Sequence, residues 1–165
     1  MDKPLLKQQC PLFFVALAWT MYFAGIAFFA LSGQWLVLGS WVVVAPLAMW
    51  AYIHWFSALA PFMGYGRLTD RTAALVTPAP LTHVTLYTAV GCPFCPIVRR
   101  RLLALQSQLG FEVTQIDVTA RPDILIRKNI WAVPVVEVDG RTLVGHATTQ
   151  QIADLVAGRV VPAAA

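Results

Sequence analysis

The pattern of hydrophobic positions divides the chain into two parts. Two uncharged apolar runs, residues 11–31 and 35–60, are separated by the short polar break Ser32-Gly33-Gln34. At a rise of about 1.5 Å per residue, either run as a helix spans a hydrocarbon core about 30 Å thick. Residues 1–60 are therefore predicted to form a membrane anchor with two transmembrane helices.

A cleaved signal peptide is the alternative interpretation of the first run. That run is long for a signal sequence and a second apolar run follows it directly, so we favour the anchor. Within the second run, Pro46 predicts a kink. His54 lies near the end of the same run, where we expect its imidazole to reach the interface, although a polar residue inside a span is also a functional candidate.

The segment after the second run, residues 61–82, is predicted to be a linker. It contains Pro61, Pro78 and Pro80 and has little periodicity. A flexible linker of this length has a root-mean-square span on the order of 25 Å, which would keep the following domain near the membrane.

From residue 83 to residue 160 the periodicity is that of a small α/β domain. Strands are predicted at residues 84–87, 111–118, 135–138 and 141–144, the last two joined by an Asp139-Gly140 turn. Helices are predicted over residues 96–109, 122–130 and 148–157 from the helical spacing of their apolar residues. The predicted order is βαβαββα.

Composition and charge support the membrane assignment. The chain is 58% hydrophobic and 12% charged, against about 25% charged residues in soluble domains. Lys3 and Lys7 precede the first run, Arg67 and Arg71 follow the second, and the turn between the runs has no charge. The positive-inside rule then predicts an inner or plasma membrane location with both termini in the cytoplasm.

The net charge of +4 does not indicate a nucleic-acid partner, because no nucleic-acid-binding signature accompanies the dispersed basic residues. Attraction to the head groups of membrane lipid is a simpler use for them.

The candidate chemistry lies at Cys92-Pro93-Phe94-Cys95, between the first strand and first helix of the C-terminal domain. A helix N-terminus stabilises a thiolate. We therefore expect Cys92, at the exposed start, to be a nucleophile with a low pKa, and Cys95 to resolve the mixed disulfide. Residues 99–101 are three arginines, which we expect to face solvent.

A CxxC pair is also half of a zinc or copper site, but here no second CxxC or histidine pair completes a metal set. The remaining cysteine and histidine residues are Cys10, His54, His83 and His146. The sequence thus predicts a redox pair and no metal. Cys10, at the edge of the first run, is a candidate for lipidation or for a dimer disulfide, or has no chemical role.

With these motifs in place, residues 83–160 resemble the glutaredoxin family of the thioredoxin-like fold. The matching motifs, in the order of that family, are Gly91-Cys92-Pro93-Phe94-Cys95, Ala132-Val133-Pro134, Val138-Asp139-Gly140 and Leu143-Val144-Gly145. The resemblance implies a mixed four-stranded sheet with Cys92 and Cys95 as catalytic residues. It also implies a cis proline at Pro134.

The resemblance further implies a substrate- or glutathione-binding groove at Phe94, Val133, Pro134, Gly145 and Thr148. The Val133 backbone would pair with a bound substrate, and Trp131 would flank the groove or belong to the core. His146 is expected in an exposed loop, although it could tune acidity near the site. Thr148 is expected to cap the last helix.

Two departures from the family weaken the expected glutathione contacts. Thr88-Ala89-Val90 stands where glutathione-using members commonly have a lysine, and Gly145-His146-Ala147-Thr148-Thr149 replaces their acidic end. We expect no tightly bound cofactor. Glutathione remains a candidate reductant, with thioredoxin reductase as the alternative electron source.

The sequence therefore predicts a membrane-anchored thiol–disulfide oxidoreductase that reduces protein or glutathione disulfides. A cytoplasmic location favours reduction; on the other side of the membrane the same centre could be an oxidant or isomerase. The alternatives are a redox-sensing or interaction module of a membrane complex without turnover, and a glutathione-bridged iron–sulfur cluster, which the second cysteine disfavours.

Overall fold

A computed structural model describes residues 9–63 and 83–159 of the chain. Most of the predicted linker, residues 61–82, lies outside the described residues, as do Lys3, Lys7, Arg67 and Arg71. The predicted linker, and the cytoplasmic orientation inferred from these charges, therefore stay predictions.

The N-terminal part is a helical hairpin. A two-residue strand β1 (Cys10–Pro11) leads into α1 (Leu12–Leu31), and α2 (Trp35–Leu59) follows after a three-residue turn. Both helices are long and apolar enough to cross a membrane, with mean hydropathies of 2.0 and 1.9. Their apolar side chains are largely exposed, as expected for surfaces that would face lipid rather than a protein core.

The two helices approach each other closely at Gly25. A Cβ atom at this position would lie 2.8 Å from Nε1 of Trp41, and the same indole nitrogen donates a hydrogen bond to the Tyr22 carbonyl at 3.2 Å. A glycine at the helix crossing thus admits the Trp41 ring against the α1 backbone.

The C-terminal domain, residues 83–159, has the elements that the periodicity predicts. They are β2 (His83–Thr88), α3 (Cys95–Leu109), β3 (Glu112–Asp117), α4 (Pro122–Lys128), β4 (Ala132–Val133), β5 (Val135–Val138), β6 (Arg141–Val144) and α5 (Thr149–Val156). Apart from the short β4, this is the predicted βαβαββα order. The helix and strand ends differ from the predicted bounds by a residue or two.

The sheet has the strand order β3-β2-β5-β6. β2 is parallel to β3 and antiparallel to β5, and β5 is antiparallel to β6. This is the mixed four-stranded sheet of a thioredoxin-like fold, preceded by a hairpin of two apolar helices. The fold class expected from the sequence is confirmed.

Side chains alternate between the two faces of the sheet, and each face has its own core. Leu86 and Val136, paired across β2 and β5, pack against α3 and α5. The neighbouring pair, Tyr87 and Val135, points to the opposite face and packs with Ile124 of α4. Burying each aliphatic side chain contributes about 1.5–3 kcal/mol relative to exposure. Cys92, Cys95 and the end of the hairpin at Phe56 and Ala60 belong to this second core.

Candidate active site

The two cysteines of Cys92-Pro93-Phe94-Cys95 lie at the start of α3, as predicted. Cys92 is in the turn before the helix and Cys95 is its first residue. The backbone N–H of Cys95 donates to the Cys92 sulfur at 3.3 Å. Cys92 thus accepts from an amide at the helix N-terminus, and such an interaction favours the thiolate. The three cysteines of the chain, all within the described residues, are free thiols.

The predicted exposure of Cys92 is wrong. Cys92 is only 2% exposed and Cys95 5% exposed. Hydrogen bonding from the Cys10 thiol lowers the pKa of Cys92, but its hydrogen bond with Cys95 and its burial raise it more, and the net pKa is about 12. The low pKa expected from the helix N-terminus is therefore outweighed. The hydrogen bond with Cys95 is the largest cause that raises it, and burial adds to this because another segment of the chain covers the thiol.

That segment is β1. Its two residues pair antiparallel with β4, Cys10 opposite Val133 and Pro11 opposite Ala132. The backbone N–H of Leu12 extends the contact by donating to the Trp131 carbonyl at 3.1 Å. The edge that the family resemblance assigns to substrate is thus occupied by the chain's own N-terminal strand.

Pro134 follows this edge, and its peptide bond with Val133 is cis, as the resemblance implies. Val133 and Pro134 are both fully buried, and Val133 belongs to the same apolar cluster as Cys92 and Cys95. The cis proline segment and the cysteine pair are thus adjacent, in the arrangement that the sequence motifs predict.

Cys10 belongs to the site, which sequence reasoning did not identify. It packs against the apolar cluster that contains Cys92 and Cys95. Its interaction with the Cys92 thiol, together with burial, raises the pKa of Cys10 well above its usual range. Cys10 and Cys95 thus both interact with Cys92.

Phe94 attaches the active-site segment to the hairpin. Its ring packs edge-on against Phe56 of α2 at a centroid distance of 4.9 Å, and the two rings are 3% and 1% exposed. The centroid of the His146 ring lies 6.1 Å from that of Phe94. His146 is half-buried here, so the exposed loop position expected for it is wrong.

An apolar cavity of about 830 Å³ extends from this contact into the hairpin. Its lining includes Pro93 and Phe94 together with Cys10, Trp19, Trp41 and Trp50. The segment between Cys92 and Cys95 thus shares an apolar space with the two helices of the hairpin.

The remaining predicted site residues, Gly145 and Thr148, lie in the loop between β6 and α5. The N–H of Gly145 donates to the Pro134 carbonyl at 2.8 Å. Thr148 caps α5 as expected, because its hydroxyl accepts from the Gln151 N–H at 3.2 Å and the Gln151 side chain accepts from the Thr148 N–H at 2.9 Å. Trp131, in contrast, is 77% exposed and is not a core residue.

One arginine of the triplet 99–101 does not face solvent. Arg101 is 9% exposed, and its guanidinium donates to the Ala147 carbonyl at 2.6 Å. It joins α3 to the loop between Gly145 and Thr148. Its position could have been found from the sequence, because it follows Val98 by three residues on the buried stripe of the helix.

Within residues 9–63 and 83–159, no group of three or more His, Cys, Asp or Glu side chains is arranged to hold a metal ion. The site is therefore described by its thiols, its backbone edge and its apolar walls.

A mixed sheet, a CxxC pair before the first helix of the domain and a cis proline beside it define a thioredoxin-like redox domain. Residues 83–157 match the family model described as Glutaredoxin-like domain (DUF836). This part of the chain is a glutaredoxin-like domain, which indicates a redox-related role, and the helical hairpin lies outside the match. No curated protein matches the chain.

Proposed function

We propose that this protein is a membrane-anchored thiol–disulfide oxidoreductase that reduces protein or glutathione disulfides with Cys92 and Cys95. The observation that carries the proposal is the placement of this pair at the start of α3, against Val133 and the cis Pro134 of a glutaredoxin-like domain.

In the proposed reaction, the Cys92 thiolate attacks one sulfur of a substrate disulfide and releases the other as a thiolate. Cys95 then attacks the Cys92 sulfur, forming the Cys92–Cys95 disulfide and releasing the second substrate thiol. The substrate gains two electrons and two protons. A second thiol donor, glutathione or the thioredoxin reductase system, then reduces the Cys92–Cys95 disulfide.

The covered state of Cys92 requires an opening step before attack. At a pKa of about 12 the thiol is protonated at neutral pH. Moving β1 away from Val133 removes the covering segment and frees the backbone edge for substrate. Solvation then relieves the burial that raises the pKa of Cys92, and it replaces the Cys10 hydrogen bond that lowers this pKa, while the Cys95 N–H still stabilises the thiolate.

The two apolar helices support membrane attachment, and we propose that they cross the membrane and hold the domain on the cytoplasmic side. Reduction suits that side, where thiols are kept reduced. A side-specific reporter fused to the C-terminus tests the orientation. An external signal would exclude the cytoplasmic assignment and favour an oxidant or isomerase.

The test of the enzyme is capture with a single-cysteine chain. The double variant Cys10→Ser/Cys95→Ser keeps Cys92 alone, so a partner attacked by Cys92 remains attached by a disulfide. We expect mixed disulfides in native membranes, released by dithiothreitol. The matched control, Cys10→Ser/Cys92→Ser, keeps only Cys95 and should capture at least about tenfold less, since the resolving cysteine follows rather than begins the attack.

Turnover is measured with the unaltered chain on insulin and on glutathione disulfide. Supplying glutathione with its reductase, or thioredoxin reductase with its nicotinamide donor, distinguishes the two electron sources. If the single-cysteine chain captures nothing and neither substrate is reduced, the redox-sensing or interaction module is the better description.

A further inference from the structure

Cys10 is arranged against the active site as a substrate cysteine would be. It lies opposite Val133 in an antiparallel pairing and packs against the cluster that contains Cys92. Backbone pairing at an exposed edge is how extended peptides are commonly recognised. The edge therefore holds Cys10 beside the cysteine that the proposed reaction uses.

We propose that Cys10 is a third redox cysteine, which exchanges disulfides with Cys92. The inference rests on the proposed function, because it needs the Cys92–Cys95 disulfide that substrate reduction produces. Cys10 attacks the Cys92 sulfur, the Cys10–Cys92 bond forms and the Cys92–Cys95 bond breaks. Cys95 leaves as a thiolate and takes up the proton lost by Cys10. No electrons are gained or lost overall, so no further oxidant is required.

Two features of the contact favour this exchange. Cys92 interacts with both of the other thiols, so each of them is a partner for a disulfide with it. In the dithiol form the hydrogen bond to Cys92 is the main cause of the raised Cys10 pKa. Once Cys92 is in a disulfide that hydrogen bond weakens, and the Cys10 thiolate becomes easier to form.

The product would differ from the usual oxidised form of such a domain. A Cys10–Cys92 disulfide covalently joins the N-terminus of α1 to the active-site segment and fixes β1 on the edge formed by Val133. Substrate could not dock until the bond was reduced. The exchange thus converts an oxidised open site into a closed one, with Cys95 as the free thiol.

The sequence offers a direct test through its methionines. Cleavage with cyanogen bromide after residues 21 and 63 separates residues 2–21, which contain Cys10, from residues 64–165, which contain Cys92 and Cys95. After mild diamide oxidation of the full chain in detergent and blocking of free thiols, we expect the two fragments to stay joined until reduction. In Cys95→Ser, where only Cys92 remains in the second fragment, linkage should be nearly complete.

The matched control moves the cysteine by one residue. Cys10→Ser/Pro11→Cys, made in the Cys95→Ser background, places the thiol on the opposite face of β1 because successive strand side chains alternate. We expect at least about a tenfold lower yield of linked fragments. An unchanged thermal unfolding midpoint of the glutaredoxin-like domain shows that this variant is folded.

Three results would overturn the inference. The first is no linkage in the unaltered chain or in Cys95→Ser, and the second is equal linkage in the register control. The third is a yield that rises with protein concentration over a tenfold range, since an intramolecular bond is independent of it. Partner capture by Cys10→Ser/Cys95→Ser reports separately on the proposed function. Capture without fragment linkage rejects the Cys10 role alone, and linkage without capture or turnover rejects the enzyme alone.

Discussion

The contact between Phe56 and Phe94 is expected to keep the active site closed, so removing it should expose Cys92. Phe56 is 1% exposed although it lies on a helix whose other aromatic residues are largely exposed. Its ring packs on Phe94 at 4.9 Å and on Tyr52 of the same helix at 5.5 Å. Phe56→Ala removes this ring contact with the C-terminal domain and leaves the pairing residues of β1 and β4 in place.

The size of the effect follows from the part of the Phe56 burial energy that exists only in the closed state. Truncating a buried phenylalanine costs about 3–5 kcal/mol. The Tyr52 contact is lost in the closed and the open state alike, so about 2–3 kcal/mol remains for the closed state. Since about 1.4 kcal/mol is a factor of ten, the open fraction should rise about 30- to 140-fold.

The assay is the rate at which maleimide labels Cys92 at neutral pH in full-length Cys95→Ser. Labelling of Cys92 is distinguished from that of Cys10 because the two cysteines lie on separate cyanogen bromide fragments. The matched control is Phe62→Ala, since Phe62 is 90% exposed at the same end of the hairpin. We expect labelling to accelerate by the factor above in Phe56→Ala and to change little in the control. Equal rates in the two variants would refute the idea that this contact protects the thiol.

The pH dependence of labelling has a defined direction in the unaltered chain, where the label on the fragment of residues 64–165 is followed. The closed state raises the Cys92 pKa from 9.0 to about 12, and the hydrogen bond with Cys95 is the largest cause that raises it. Closure therefore gains stability from the protonated thiol below pH 9, and this gain is lost as the pH rises through 12. Labelling should accelerate through this window, and the advantage of Phe56→Ala should shrink there. If the ratio of the labelling rates with and without Phe56→Ala stays constant up to pH 12, the raised Cys92 pKa does not contribute to closure.

Two further predictions concern the scaffold, both measured as the thermal unfolding midpoint in detergent. Arg101→Met removes the donor to the buried Ala147 carbonyl and should destabilise the C-terminal domain by about 1–3 kcal/mol. The control Arg100→Met changes an exposed position and should cost less than about 0.5 kcal/mol. Equal effects of the two variants would contradict the role of the buried hydrogen bond. Gly25→Leu should destabilise the hairpin by about 1–3 kcal/mol through overpacking. Gly39→Leu should be tolerated, because a side chain there meets nothing within 4 Å. Matching midpoints of these two variants would refute the close approach at Gly25.

Much of the fold could be predicted because its signals are local. The β-branched and aromatic residues of β2, the apolar stripe of α3 and the Asp139-Gly140 turn each specify an element within a few residues. The cysteine pair and Pro134 could be located for the same reason, since their motifs are short and occur in a fixed order.

The cover over the site could not be predicted, because its contacts join residues far apart in the sequence. β1 has two residues, which is too short to show any periodicity. Phe56 resembles the lipid-facing aromatics around it, and only packing against Phe94 distinguishes it. Since the exposure of Cys92 depends on both contacts, its expected low pKa was wrong even though its position before α3 was correct.

One opening equilibrium should control both labelling and substrate binding, and this gives a stricter test than either alone. The Val133 edge cannot pair with β1 and with a substrate at once, so a substrate binds only the open fraction. Its apparent dissociation constant is the intrinsic one divided by that fraction. While the open fraction stays small, Phe56→Ala should lower the apparent KM for a small disulfide by the same factor by which it accelerates labelling of Cys92, with kcat little changed. If labelling accelerates and KM does not fall, substrate reaches Cys92 by a route that leaves β1 in place, and the edge formed by Val133 is not the docking site.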